Sequence, residues 1–412
     1  MVNFFAIIER ILYILLLLFS FFPYITFGLV RVDSQPNALI VSLMLFVFYC
    51  KRKMDIRLFL LLFVLLLSIL IYVYSLSFTF NSVRSLMSYV SLFFISYVTF
   101  EGLKKANGLS YLVYKLSVCI WFIVGCIQIL LYPNFLSFLL PRGDSVGTLI
   151  SGRGIVCLAP EPTFYGLMCF MFMIVGYINF RERKSIKYVF IILLIQLILF
   201  SRSSLCIMSL VFTCVLYLFL IFFHVNFRTK IIFVIYAIII TPFLLFVLFN
   251  ISNCLNEYRI GVLLNVLLND PLNFLFVDAS VNERFNHLFF SIYGFFSDCF
   301  LPHGYDSFDD YMNIMSGNPS FNTFFSDFLY GRENARIMSG VGAILFEIGF
   351  WGLLVLYIVC DAFFRLILYD FRVVFFLILF LIVVCIGMPF VTSIIPFAIG
   401  NILYLSSNIK TN

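Results

Sequence analysis

Charge is what this sequence has least of. Only 11% of its 412 residues are Asp, Glu, Lys or Arg, and three are His, too few for the surface of a water-soluble domain of this length. Its glycine-rich stretches lack the Lys of a nucleotide-binding P-loop, and no EF-hand loop or His-Glu-x-x-His pattern occurs; the usual phosphate, calcium and zinc frameworks are thereby excluded. Heptads, internal repeats and low-complexity tracts are missing as well. Arg10 precedes a long apolar run, but no small-residue cleavage site follows between Phe27 and Arg31, so this segment reads as a retained helix and not as a signal peptide.

Apolar residues fill the space that charge leaves. The chain is 63% hydrophobic, with 56 Phe and a mean hydropathy of +1.11. Continuous apolar runs of about twenty residues cross a bilayer as helices, because lipid offers no partner for open backbone groups. A β-barrel would alternate apolar and polar residues instead. The expected fold is therefore all-α, a polytopic integral membrane protein with about twelve (ten to twelve) spans. They fall at 8–30, 37–50, 58–76, 83–100, 109–131, 162–180, 188–201, 204–223, 231–250, 339–360, 373–388 and 391–407. The basic connections at 51–57, 101–105, 181–187, 224–230 and 361–372 lie on one side if the N-terminus is inside, and by the positive-inside rule that side is cytoplasmic. Residues 1–250 then hold the first nine spans with a short external loop at 132–161, residues 251–338 form a large external loop, and 339–412 hold the last three spans.

Most of the eleven Cys, such as Cys119, Cys126, Cys206 and Cys360, sit inside apolar runs without metal-ligand spacing and read as small apolar residues. Cys157, Cys254 and Cys299 fall in loops, where a disulfide stays open.

In this topology all nine Lys lie at or near the cytoplasmic side, whereas the nine outer basic residues are all Arg: 31, 84, 142, 153, 202, 259, 284, 332 and 336. Orientation alone does not distinguish Lys from Arg. A planar, bidentate guanidinium is favoured where phosphate, diphosphate or carboxylate is gripped; pairing with the ten acidic residues of the large loop is the plainer alternative.

Glu161 stands between two prolines in CLAPEPTFYG. Pro162 suits the first position of a helix, which puts Glu161 at the mouth of the sixth span. There it is either a helix-start carboxylate worth ~0.3–1 kcal/mol or a group that pairs with Arg, orients a sugar hydroxyl or accepts a proton. Arg142 and Arg153 belong to PRGDSVGTLISGRG, whose glycines let backbone amides face an anion. Arg202, in LFSRSSL, would cost ~2.5–3.5 kcal/mol at bilayer depth, so it faces water, an anion or a partner, or snorkels. In NERFNHLFFSIYGFF the spacing of Phe285, Phe289, Ile292 and Phe296 predicts an amphipathic helix over 282–296. Asn282 is its expected N-cap, with Arg284 and His287 on one polar face presented to a lipid head group. His303 lies in the turn LPHGYDSFDDY, and the spacing of Asp306, Asp309 and Asp310 is unspecific for a metal.

Taken in order, EPTFYG at 161–166, LFSRSS at 199–204, RFNHL at 284–288 followed by PHGY, and SGVGAILFEIGFWGLL at 339–354 resemble the O-antigen polymerase (Wzy-type) and O-antigen ligase superfamily. Ligases of that group carry a His about nine residues before the position of Glu347; here Met338 and Ser339 stand in that region, which favours a polymerase. The resemblance implies a bacterial inner-membrane glycosyltransferase whose donor and acceptor are oligosaccharides on undecaprenyl diphosphate. It works without cofactor, metal or nucleic acid, and its pathway supplies a flippase and a chain-length regulator as partners. The catalytic residues it implies are Glu161, Arg284 and His303, with Arg142, Arg153, Arg202 and His287 on the diphosphate or sugar.

Overall fold

The computed structural model describes residues 2–26, 32–50, 53–75, 78–150, 152–224, 250, 259–270, 273–325 and 337–409. Among these, helices are the only regular elements. The first half runs α1 (Val2–Phe21), α2 (Asn37–Tyr49), α3 (Ile56–Ser75), α4 (Phe80–Ala106), α5 (Tyr111–Leu130), α6 (Ser145–Ile150), α7 (Pro162–Phe180), α8 (Ile186–Ile195) and α9 (Ser204–His224). The second runs α10 (Arg259–Asn269), α11 (Phe274–Val277), α12 (Ala279–Ser297), α13 (Phe308–Gly317), α14 (Gly340–Ile348), α15 (Gly352–Tyr369), α16 (Val373–Ile386) and α17 (Ile394–Asn408).

Seven helical segments among the described residues are long and apolar enough to cross a membrane: α1, α3, α4, α5, α7, α9 and the bent pair α14–α15. The protein is thus a multi-pass membrane protein. The segments at 37–49, 186–201, 373–386 and 394–408 are apolar but shorter, and the expected span at 231–250 lies, but for its last residue, outside the described residues. The span expected at 339–360 is interrupted. Gly349 has φ +62, and a Cβ there would meet the Phe300 carbonyl oxygen at 2.5 Å, so only glycine accommodates the bend. Among its described residues, the stretch expected as one large loop holds the helices α10 to α13.

Two helices form the buried centre. α4 begins at Thr79, whose hydroxyl accepts from the Ser82 amide, and ends at Asn107 in the left-handed region, with Lys104 and Lys105 in its last turn, as the helix dipole favours. It packs on α2, α3 and α17. Gly400 brings α17 so close that a Cβ would stand 2.4 Å from the Ser96 carbonyl oxygen, and Ser96 Oγ donates to the Pro396 carbonyl at 2.8 Å. Small residues of this kind let membrane helices approach. α7 is the second centre, packed against α8, α16 and α17. At the start of α3, buried Arg57 ties three helices together: it reaches Asp55 at 3.1 Å, Asp361 of α15 at 3.8 Å and Ser406 of α17 at 2.6 Å.

Candidate functional site

Glu161 is the N-cap of α7. Its backbone is extended (φ −149, ψ 156), Pro162 takes the first helical turn, and the side chain makes no capping hydrogen bond. The carboxylate instead faces two guanidiniums. Arg142 Nη2 lies 3.1 Å from Oε1 and Arg284 Nη2 lies 3.9 Å from Oε2. These three residues, 19 to 142 positions apart in the chain, come from a loop, a helix start and the first turns of α12.

Each arginine is held differently. Arg142 forks onto Asp33, Nε to Oδ1 at 2.8 Å and Nη2 to Oδ2 at 2.7 Å. Burial disfavours its charge, but the Asp33 hydrogen bonds and the charges of Asp33, Glu161 and Glu283 outweigh that and hold its pKa above the usual range. Arg284 is 7% exposed. Its guanidinium lies over the Phe164 ring, 5.8 Å from the centroid, and Nη1 donates to the Ile386 carbonyl at 3.5 Å. A contact of 3.9 Å to Glu161 is a charge pair and not a hydrogen bond, so the arrangement is compact but not closed. Arg84, in the second turn of α4, lies within the field of Asp33 and Arg142.

Tyr24 sits beneath this group. It is buried, its ring tilts against Phe164 at 5.8 Å, and its hydroxyl lies within the fields of Asp33 and Glu161. Asp33, Arg84 and Tyr24 were not legible as site residues in the sequence. They sit far from Glu161 along the chain, and only Arg84 carried a signal, through the Arg-only outer set.

Arg153 and Arg202 meet in a cleft of about 430 Å³ on the other side of the α7 start. Pro162, Thr163, Ser203 and Ser204 line it, and Ile198, Leu199 and Val281 supply apolar surface. Arg202 is exposed and ends a π-helical segment, Gln196–Ser201, with φ 44 and ψ 29. A non-glycine residue in that region is uncommon, and π-helical turns concentrate at functional sites. Gly154 lets the preceding loop touch this turn: a Cβ would stand 2.1 Å from the Phe200 carbonyl oxygen, which accepts from the Ile155 amide at 2.9 Å.

One side chain ties the loop bearing Arg142, Arg153 and Glu161 at three points. Gln128, fully buried at the end of α5, donates to the carbonyls of Phe135 (2.8 Å) and Cys157 (3.0 Å) and accepts from Ser145 Oγ (3.1 Å) and the Cys157 amide (2.8 Å). All four capacities of a carboxamide are used. Cys157 is buried and free, and Cys299 is exposed and free; Cys254 lies outside the described residues.

The two histidines depart from expectation. His287 is not presented to a head group: it is buried, and its Nδ1 accepts from the Met338 amide at 3.0 Å. The helix expected over 282–296 extends from Ala279, and its N-cap is Asp278, which accepts from the Ser280 and Val281 amides; Asn282 is buried and donates to the Phe324 carbonyl at 3.0 Å. Both faces of α12 are covered. Phe289 stacks on Phe324 at 5.5 Å, while Gly294 packs against Phe346 and Ser291 against Gly342. His303 joins a different group, stacked on Phe346 at 4.0 Å, with Nε2 2.5 Å from Asp298 Oδ2. Nearby, Tyr89 donates to buried Glu347 at 2.7 Å. Asp306 accepts from Thr79 Oγ1 at 2.6 Å. Among the described residues no group of three or more His, Cys, Asp or Glu side chains is arranged to hold a metal ion. Arg332 and Arg336 lie outside the described residues, as does Arg31.

Family models, curated proteins and solved structures were compared with this chain, and none of them matches it.

Proposed function

We propose that this protein polymerises lipid-linked oligosaccharide repeat units on the outer face of a bacterial cytoplasmic membrane. The observation that carries this is the Glu161 carboxylate bracketed by Arg142 and Arg284 at the mouth of a buried membrane helix. It is supported by the adjacent Arg153–Arg202 cleft, which joins cationic and hydroxyl groups to apolar walls, as a diphosphate on an isoprenoid tail requires.

In this mechanism the terminal hydroxyl of one lipid-linked unit attacks the anomeric carbon of the growing chain's proximal sugar. The glycosidic C–O bond to the carrier breaks, and polyprenyl diphosphate leaves with the bonding pair. Guanidiniums stabilise that departing charge, each charged hydrogen bond contributing ~1.5–3 kcal/mol. Arg142 already faces two carboxylates, Asp33 and Glu161, and Arg284 faces Glu161; an incoming diphosphate competes with Glu161 for both guanidiniums. Their transfer to phosphate releases Glu161 to accept the hydroxyl proton. His303, on its separate Phe346–Asp298 support, is left out of the proton transfer.

One observation favours ligation instead, as the second possibility. The related ligases carry a histidine where Met338 and Ser339 stand, and here His287 reaches Met338 from another helix. Deleting the gene separates the two. For a polymerase in a Gram-negative host, lipopolysaccharide cores capped with a single repeat persist, and Glu161→Ala copies that pattern on electrophoresis. Wholly uncapped core beside long carrier-linked polymer would identify a ligase, and single units trapped facing the cytoplasm would identify a flippase.

The proposed orientation has its own check. Reporter fusions at Gly152 and Ser316 are expected to be active outside, and one at Lys184 inside; cytoplasmic activity at Ser316 would remove the site from the outer face.

A further inference from the structure

We infer that α12 and the turn after it form a re-entrant hairpin: it enters the bilayer from the side of the Glu161 group, sets an apolar tip among lipid acyl chains near the middle of the membrane, and returns without crossing. The tip is residues 296–304. It lies apart from the charged group and does not depend on the proposed activity.

Its depth follows from contacts with membrane-crossing helices. The Phe350 amide donates to the Phe300 carbonyl at 2.8 Å, so the tip is level with the bend between α14 and α15. From that bend α15 runs to Asp361, which faces Arg57 in the first turn of α3. The ten residues from Trp351 to Asp361 rise roughly 15 Å, about half of a ~30 Å hydrocarbon core. The Trp351 ring agrees with this level, edge-on to Phe63 at 5.6 Å, the eighth residue of the 20-residue α3. Both legs of the hairpin start higher, at one surface. Arg284 on the entering leg faces Glu161, and Asp306 on the returning leg accepts from Thr79, just before α4. Between them Tyr305 donates to the Ser68 carbonyl of α3 at 3.1 Å.

The backbone is bonded as that depth requires. Lipid gives an open amide no partner, so a non-helical turn persists there only when the protein bonds it. Every amide from Asp298 to Gly304 is taken up: Asp298 by Gly294, Cys299 by Phe296, Phe300 by Phe295, Leu301 by Asp298, His303 by Phe346 and Gly304 by Glu347. The one residue of that stretch without an amide hydrogen is Pro302. A turn in water is under no such constraint. Cys299 and Phe300 adopt left-handed φ of 53 and 67 to close it, and Gly349 leaves it room, since a Cβ there would stand 2.7 Å from the Pro302 nitrogen.

The surface of the tip matches lipid. Phe296, Phe300, Leu301 and Phe350 are each at least 45% exposed. Asp298, the only charged residue from 296 to 302, lies against His303, as a carboxylate at membrane depth needs a partner. Through Trp351 and Phe63 the patch continues onto a face of α3 that also exposes Phe59, Leu66 and Leu70, spaced as one helical stripe. That helix is long and apolar enough to cross the membrane, so the acyl chains that cover its stripe cover the tip as well. The helix that carries Arg284 is thereby anchored in the bilayer at its far end.

The test is tryptophan fluorescence of the full-length protein in nanodiscs. The chain has two Trp, of which Trp121 is buried. Trp351→Phe leaves that one as a constant background, and Leu301→Trp adds a probe at an exposed position of the tip. Emission from position 301 is expected to lose most of its intensity in phosphatidylcholine brominated at mid-chain and almost none to aqueous iodide. Leu301→Asp gives a second measurement that needs no probe. A carboxylate is disfavoured among acyl chains and harmless on a turn in water, so the melting temperature in nanodiscs should fall by several degrees. Quenching of position 301 by iodide and not by bromine would put the tip in water, and quenching by neither would mean that a second copy of the chain covers it. Unchanged melting of Leu301→Asp would take lipid away from the tip. Each of these three results overturns the inference.

Discussion

Arg284→Lys is expected to make little or no long polymer, although net charge is unchanged. The guanidinium of Arg284 is nearly enclosed, paired with Glu161 on one side and bonded to the Ile386 carbonyl on another, over the Phe164 ring. A planar fork satisfies these directions at once; a single ammonium on a flexible stem does not. The loss of even one or two charge-assisted hydrogen bonds in the transition state, ~1.5–3 kcal/mol each, lowers the rate by roughly 10- to 10⁴-fold. Gly387→Ala supplies an independent check. A Cβ at Gly387, which closes α16, would lie 2.2 Å from Arg284 Nη1. The guanidinium must move to admit it. Polymer should drop in this variant at matched expression. Wild-type polymer lengths from Arg284→Lys at matched expression would remove Arg284 from the chemistry.

The bilayer-crossing helices were legible because their signal is local: twenty apolar residues in a row declare themselves without reference to any partner. The bend at Gly349 was not, since it depends on the Phe300 carbonyl arriving from outside the span. Glu161 stood out for a similar local reason, a carboxylate between prolines before an apolar run. Its partners were another matter. Arg142 and Arg284 were named on chemistry alone, and their convergence on Glu161 lies in tertiary geometry, as does the place of Asp33. His287 shows where periodicity misleads. The spacing correctly put Arg284 and His287 on one face of a helix, but the period of a helix does not say which face is covered. Here Phe324 stacks on Phe285 and Phe289 of the stripe expected to meet lipid, and Phe325 and Phe321 pack on the neighbouring Phe290 and Tyr293. The opposite face turns inward to α14 and α16.

Gln128→Leu should cost the most in stability and take activity with it. The side chain has no contact with the charged group it serves, yet its four hydrogen bonds pin the loop at Phe135, Ser145 and Cys157. Arg142 lies between the first two points, Arg153 between the last two, and Glu161 four residues beyond the third. Leucine fills a similar volume but leaves buried carbonyl and amide groups of Phe135 and Cys157 without partners. Each orphaned group costs about 1–3 kcal/mol, so the expected loss is on the order of 3 kcal/mol or more. Gln128→Glu is the sharper comparison. It keeps the shape and the acceptors for Ser145 and the Cys157 amide, but a carboxylate has no hydrogens for the two carbonyls and would face their oxygens directly. Both variants should therefore unfold at lower temperature in detergent and make no long polymer, with glutamate no better than leucine. If Gln128→Glu retained wild-type melting and polymer length, the loop would be held by other contacts, and the placement of Arg142, Arg153 and Glu161 would not depend on this amide.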